Sequence, residues 1–248
     1  MVPFAPPTRY DLNFNFLGFP VRVHPLFWVI ALLLGSGTRN LLMIPVWVVI
    51  VFISILVHEL GHALAFRRYG QDSHILLHFS GGLTIPQSVP FGGGYASVGM
   101  TPNEHILVSL AGPFAGFLLA GLTLAVGAAL GGDIIFTSIL GVVPFPVVVL
   151  PISWLTDIFI SMLWVNIFWG FINLLPVYPL DGGQVSRYFF IQRDPYSGLR
   201  TSLLISVITG GFLAVLGLVA FGSTYMALMF GLLAFQSYQM MQGVNRMY

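Results

Sequence analysis

Residues 42–66 read LMIPVWVVIVFISILVHELGHALAF. A run of this length, apolar almost throughout, reaches across a bilayer core of about 30 Å when helical. In lipid only helices and closed barrels satisfy every backbone polar group, and an unbroken run of this kind reads as a helix. Near its end stand His58, Glu59, Leu60, Gly61 and His62. Two imidazoles and a carboxylate are costly inside hydrocarbon, and ionisable residues there are functional by default. Residues four apart share a helix face, so His58 and His62 can reach one metal ion, with Glu59 beside them to take a proton from water.

The rest of the chain has the same texture. Of its 248 residues 57% are hydrophobic and 7% charged, with 22 Phe, and the mean hydropathy is +0.92. A soluble domain carries about a quarter charged residues. The composition therefore predicts an all-α polytopic membrane protein, with the lipid bilayer as its first partner. The absence of cysteine rules out disulfides and thiolate zinc sites. A net charge of +1 implies no nucleic-acid partner. Residues 1–16, MVPFAPPTRYDLNFNF, lack the apolar core and small-residue cleavage site of a signal peptide.

Outward from residues 42–66, about six transmembrane segments are expected. The first is short, from Pro25 to Gly37, with a start as early as Val21. The second is the one just quoted. The others run from Pro102 to Leu130, Ile152 to Leu175, Leu199 to Phe221 and Thr224 to Gln242. All nine cationic side chains are Arg. With both termini cytoplasmic, Arg9, Arg22, Arg67, Arg68, Arg187, Arg193, Arg200 and Arg246 fall inside and only Arg39 outside, as the positive-inside rule requires. A seventh span at Ile134–Leu150 would put Arg187, Arg193 and Arg200 outside. That stretch, broken by Pro144 and Pro146, reads as an outer loop over 131–151 with a partial or re-entrant helix.

The region 72–99 differs. Short β-type runs, HILLHF and GLTI, are separated by Gly and Pro, which predicts a membrane-associated β-hairpin or small sheet between the second and third helices. Thr101, Pro102 and Glu104 form a capping box that opens the third helix. The whole of 1–248 reads as a single membrane-embedded domain with an N-terminal segment over 1–24.

A catalytic zinc takes three protein ligands and keeps one position open. The third donor would be Asp181, in NLLPVYPLDGG at 173–183. Zn²⁺ with ionised Asp181 and Glu59 sums to zero charge, which lowers the cost of holding the ion at low dielectric. Gly182 and Gly183 would let the backbone bend towards the metal. Asp-Gly is also a common turn pair, so a turn-capping role stands as the other reading. His58 lies nine residues before Arg67, which places the centre roughly 14 Å from the cytoplasmic end of its helix.

HELGH followed by NLLPVYPLDGG resembles the site-2 protease family of intramembrane zinc metalloproteases, peptidase family M50. GFPVRVHP before the first segment, HFSGG after the second and SLAGP in the third support the resemblance, which covers most of the chain. It is similar to the short form without a PDZ or CBS domain. The resemblance implies one zinc ion per chain held by His58, His62 and Asp181, with Glu59 as general base. Asn173 would hold the substrate carbonyl or the oxyanion, or else cap the end of its helix. It implies a cell-membrane enzyme that cuts membrane proteins in or near a transmembrane segment. One departure is visible. Many members carry Asn three residues after the Pro of the AGP motif, where this chain has Gly116. Gly112 and Gly116 form a GxxxG pair, which reads as close helix packing.

His24 reads as interfacial and His78 as a strand residue rather than part of a second metal centre. Two other classes keep the same ligands: a membrane zinc hydrolase that cuts no peptide bond, and a metal-binding or metal-transport protein. Glu59 argues against the last, since a transporter needs no general base beside two ligands.

Overall fold

The structure, a computed structural model, describes residues 6–35, 41–86, 89–91, 94–96, 99–139 and 143–245. It divides into two compact units. The first comprises Met1–Val98 with Ala111–Gly170, the second Gly99–Leu110 with Phe171–Tyr248.

The first unit is built on a sheet and the helix that carries the His-Glu-His group. Strands β1 (Leu12–Phe16), β2 (Phe19–Val23), β3 (Ser73–His78) and β4 (Gly81–Pro86) lie side by side in that order. β1 and β2 form a hairpin, β2 runs parallel to β3 with Val21 opposite Ile75, and β3 turns back into β4 with Ile75 opposite Thr84. The period-2 pattern of β2 buries Phe19, Val21 and Val23 while Pro20 points out. These side chains join Ile75 and Leu77 of β3 against Phe27 and Ala31 of helix α1 (Pro25–Gly35). They also meet Val51, Leu56, Leu60 and Ala63 of helix α2 (Met43–Arg68). The sheet is thus cemented to the helix bearing the predicted ligands.

Arg67 fastens the hairpin to the end of α2. Its guanidinium donates two hydrogen bonds of 3.2 Å to the Leu17 carbonyl and lies 3.6 Å from the Phe19 ring centroid. Leu17 and Gly18 both take positive φ to make that turn. Between α2 and the next helix, β3 and β4 are followed by a short pair β5 (Val89–Phe91) and β6 (Gly94–Ala96). Strands β1 and β2 were not expected from the sequence. Val21 lies in β2, so the first helix starts at Pro25 and not earlier.

Helix α3 (Pro102–Ala129) opens with the predicted capping box. The Thr101 amide donates to Glu104 Oε2 at 2.7 Å, and the Glu104 amide to Thr101 Oγ1 at 3.4 Å. Beyond it, Asp133–Ile139 (β7) and Val143–Val149 (β8) pair as an antiparallel hairpin, with Phe136 opposite Pro146. This corrects the partial or re-entrant helix expected at Ile134–Leu150. The apolar run is β-branched and split by prolines, which an outer strand tolerates and a helix interior does not. Phe145, Val147, Val148 and Leu150 bury against Ala120, Phe159 and Leu163. Phe159 and Leu163 belong to helix α4 (Ser153–Leu163), which continues through a π-helical turn at Trp164–Phe168 into α5 (Trp169–Asn173).

In the second unit, α6 (Asp181–Arg193), α7 (Gly198–Val219) and α8 (Thr224–Asn245) follow one another. Helix α6 was not foreseen, since its residues are too polar to stand out in a hydropathy scan. Gly210 and Gly217 let α7 and α8 approach closely, facing Ala234 and Met226. His105, at the start of α3, stacks on Tyr188 of α6 with centroids 4.1 Å apart and planes 2° apart.

Among the described residues four helices are long and apolar enough to cross a membrane: Met43–Arg68, Pro102–Ala129, Ser153–Asn173 and Gly198–Val219. Two of the six expected segments stand apart. Within the described residues helix α1 spans 11, about 16 Å at 1.5 Å per residue; Gly37, its expected end, lies outside them. Helix α8 is long enough but carries Gln236, Ser237, Gln239 and Gln242.

Candidate active site

His58 and His62 project from one face of α2, as their spacing requires. Their Nε2 atoms lie 3.2 Å apart and their rings meet edge to face with centroids 4.9 Å apart. A carboxylate oxygen of Glu59 joins them, and the three donor atoms lie within 4.8 Å of one another. His62 and Glu59 are buried, and His58 is partly so.

Three glycines make this arrangement possible. A β-carbon on Gly112 of α3 would fall 2.2 Å from His62 Nε2 and 2.8 Å from His58 Nε2. One on Gly61 would fall 2.4 Å from the Ala111 carbonyl oxygen, so this glycine lets α2 and α3 touch backbone to backbone. One on Gly82 would fall 2.4 Å from Glu59 Cγ and Oε1, so β4 lies directly on the carboxylate. The GxxxG pair is therefore more than a generic packing motif, because Gly112 is the wall of the imidazole site. Thr84 of β4 completes the setting. Its hydroxyl lies 2.8 Å from Glu59 Oε2, to which it donates, and 2.9 Å from the Glu59 carbonyl.

The donor set fits zinc. Two nitrogens bound at about 2.0–2.1 Å on a tetrahedral ion stand about 3.3 Å apart, close to the separation of the two Nε2 atoms here. Imidazole and carboxylate donors without thiolate suit that ion.

Asp181 and Asn173 belong to the second unit. Asn173 is the last residue of α5 and partly buried; Asp181 is the first residue of α6. The segment between them is held firmly. The Tyr178 amide donates to Ser206 Oγ at 3.1 Å, and Ser237 Oγ donates to the Tyr178 carbonyl at 3.4 Å. A β-carbon on Gly182 would fall 2.1 Å from the Leu174 carbonyl oxygen, and one on Gly183 2.5 Å from the Tyr178 nitrogen. The two glycines serve close approach of this loop to the start of α6. Neither has a positive φ.

Thr84, Gly82 and Gly112 were missed as site residues. The alternation in GLTI placed Thr84 on a strand but not over Glu59. His24 sits at the β2–α1 corner, where the Leu26 amide donates to its Nδ1 at 3.2 Å; it is 7% exposed and so buried. His78 closes β3, as expected, and is buried too.

Comparison with known proteins agrees with this geometry. The profile of Peptidase family M50 matches residues 46–217. A zinc metalloprotease of Methanocaldococcus jannaschii is 24% identical over 191 residues, 74% of this chain and 46% of its own. Rip3 of Mycobacterium tuberculosis, named as a putative zinc metalloprotease, is 30% identical over 177 residues, 71% of this chain and 35% of its own. Stage IV sporulation protein FB of Bacillus subtilis is 26% identical over 77% of this chain and 56% of its own. The chain thus spans about half or less of the length of these relatives. The solved site-2 protease of Methanocaldococcus jannaschii shares the fold, with a TM-score of 0.54, 22% identity and coverage of 93% of this chain and 94% of that one. With its family motif, its membrane-capable helices and its His-Glu-His group in register, this chain belongs to Peptidase family M50.

Proposed function

We propose that the protein is an intramembrane zinc metalloprotease that hydrolyses peptide bonds in or near transmembrane segments of membrane proteins. The observation that carries this reading is Glu59 held by Thr84 within 4.8 Å of two imidazoles on a membrane-capable helix. A metal-transport protein needs no general base beside two imidazole ligands.

His58 and His62 would hold one zinc ion through Nε2, with Asp181 as third ligand. When bound, zinc supplies Lewis acidity, which polarises the scissile carbonyl and makes water a stronger acid. Glu59 takes a proton from the attacking water and returns it to the leaving amine. Thr84 fixes one carboxylate oxygen by its hydrogen bond, which leaves the other for that proton. Asn173 stabilises the negative charge that builds on the carbonyl oxygen.

A transmembrane helix hides its carbonyls in its own hydrogen bonds, so the substrate must unwind. Among the described residues β4 pairs only with β3 in its sheet, and it lies over Glu59. An unwound substrate adding to that edge by main-chain bonds would run past the general base. In this reading the chain crosses the cell membrane six times, α1 and α8 included. Both termini are cytoplasmic and the active site is nearer that face.

The test uses purified protein reconstituted with single-span substrates, comparing wild type with Asp181→Asn and Asn173→Ala. Wild type cuts within or beside the span and carries one zinc. Asp181→Asn loses zinc and activity together, whereas Asn173→Ala keeps zinc and loses most of kcat. Cleavage by Asp181→Asn at the wild-type rate and zinc content would remove Asp181 from the ligand set.

A further inference from the structure

A second polar group lies one turn along α2 from the imidazoles. Ser54 precedes His58 by four residues and so shares its face. Asn166, in the π-helical turn, is 4% exposed. Its Nδ2 donates to Ser54 Oγ at 2.9 Å and to the Met162 carbonyl at 2.8 Å. A carbonyl can only accept, so the orientation of the amide is fixed: Nδ2 is spent on these two bonds and Oδ1 faces the other way. There it meets Gly116, whose missing β-carbon would stand 3.7 Å from Oδ1. Gly116 is one turn of α3, about 5.4 Å, from Gly112, which faces both imidazoles. An acceptor among apolar helices calls for a donor, and single π-turns inside α-helices are frequent at functional sites.

We infer that Asn166 Oδ1 accepts a peptide N–H of the unwound substrate, through the notch that Gly116 leaves open. This inference rests on the proteolytic reading above. An extended strand advances about 3.3 Å per residue, so one helical turn corresponds to about two residues from the scissile bond. Asn166 is then a substrate-positioning residue. It does not replace the amide absent at position 116 as an oxyanion donor, because both of its N–H groups are already used.

The test is an ester scan on a synthetic single-span peptide that wild type cleaves. Each backbone N–H near the cut is replaced in turn by an ester oxygen, which removes one donor. The expected result is one position, within three residues of the cut, where the ester lowers wild-type kcat/KM about five- to tenfold, the value of one hydrogen bond. The same ester costs Asn166→Ala less than about twofold. Gly116→Ala keeps the Ser54–Asn166 bond and adds only an ordinary contact, so it folds, keeps its zinc, and shows a raised KM with a blunted ester effect. A scan that is flat in wild type, or equally deep in both variants, overturns the inference, since a structural role or a bound water would give that pattern. Absence of any cleavage by wild type would instead sink the proteolytic reading, and this inference with it.

Discussion

Gly112 presents its bare α-carbon to both imidazoles, and a β-carbon there would fall 2.2 Å from His62 Nε2. Gly112→Ala must therefore push the rings apart or tilt α3. It is expected to lower zinc content well below one per chain at equal protein yield, as metal analysis of the purified variant would show. Thr84 acts on the other side, through its 2.8 Å bond to Glu59. Thr84→Val should leave zinc in place and lower kcat about tenfold or more, because a hydrogen bond to a charged group is worth about 1.5–3 kcal/mol. Equal kcat in the two proteins would show that Glu59 is positioned without Thr84. His58, Glu59 and His62 were legible in the sequence because their relation is local: helix periodicity alone puts them together. Thr84, Gly82 and Gly112 were not, because each matters through a contact between elements distant in the chain. Glycine, moreover, leaves no chemical mark of what it makes room for.

The sheet and the β1–β2 hairpin are the elements that set the helix of the active site in place. Arg67 ties the hairpin to α2 through the Leu17 carbonyl and the Phe19 ring. Arg67→Met should destabilise the first unit by about 1–3 kcal/mol, measurable as faster proteolysis near residues 17–18. A cut rate there equal to wild type would mean that the apolar core alone holds the hairpin. The sheet also carries two perturbed histidines. Burial, with His24 and Arg22 nearby, holds His78 below the ordinary histidine value of about 6.5, and burial with Arg22 does the same for His74. Both take up a proton less readily in the fold than in the unfolded chain, so as pH falls through about 6.5 the unfolded chain binds more protons. Stability is therefore fully present above that value and is lost as pH falls below it. Melting curves from pH 7.5 to 5 should show the drop, and His78→Gln should flatten it; an unchanged slope would remove His78 as a cause. At this scale the long helices and the capping box of α3 were readable from period and caps. The 133–149 hairpin was not: an apolar run of that length suits a strand pair as well as a half-helix until its partner is known.

Among the described residues four helices have the length and apolarity to cross a bilayer, while α1 is short and α8 is polar along one stretch. The proposed six-span topology makes a direct prediction. The chain has no cysteine, so Asp133→Cys should react with an impermeant thiol reagent only from outside the cell, and Gln242→Cys only from the cytoplasm. Labelling of both from the same side would remove one span from the count. Composition made the membrane readable, since it follows from bulk solvation, and arginine placement supplies the sidedness that the labelling tests. The second unit carries Asp181 and Asn173; their proposed roles rest mostly on motif resemblance, with charge balance as a further support for Asp181. Catalysis in this scheme depends on one carboxylate. Glu59→Gln, reconstituted with a single-span substrate, should bind zinc as wild type does, one per chain, and cleave nothing detectable. If the Glu59→Gln variant still cut the substrate at the wild-type position, that result would contradict the assignment of Glu59 as general base.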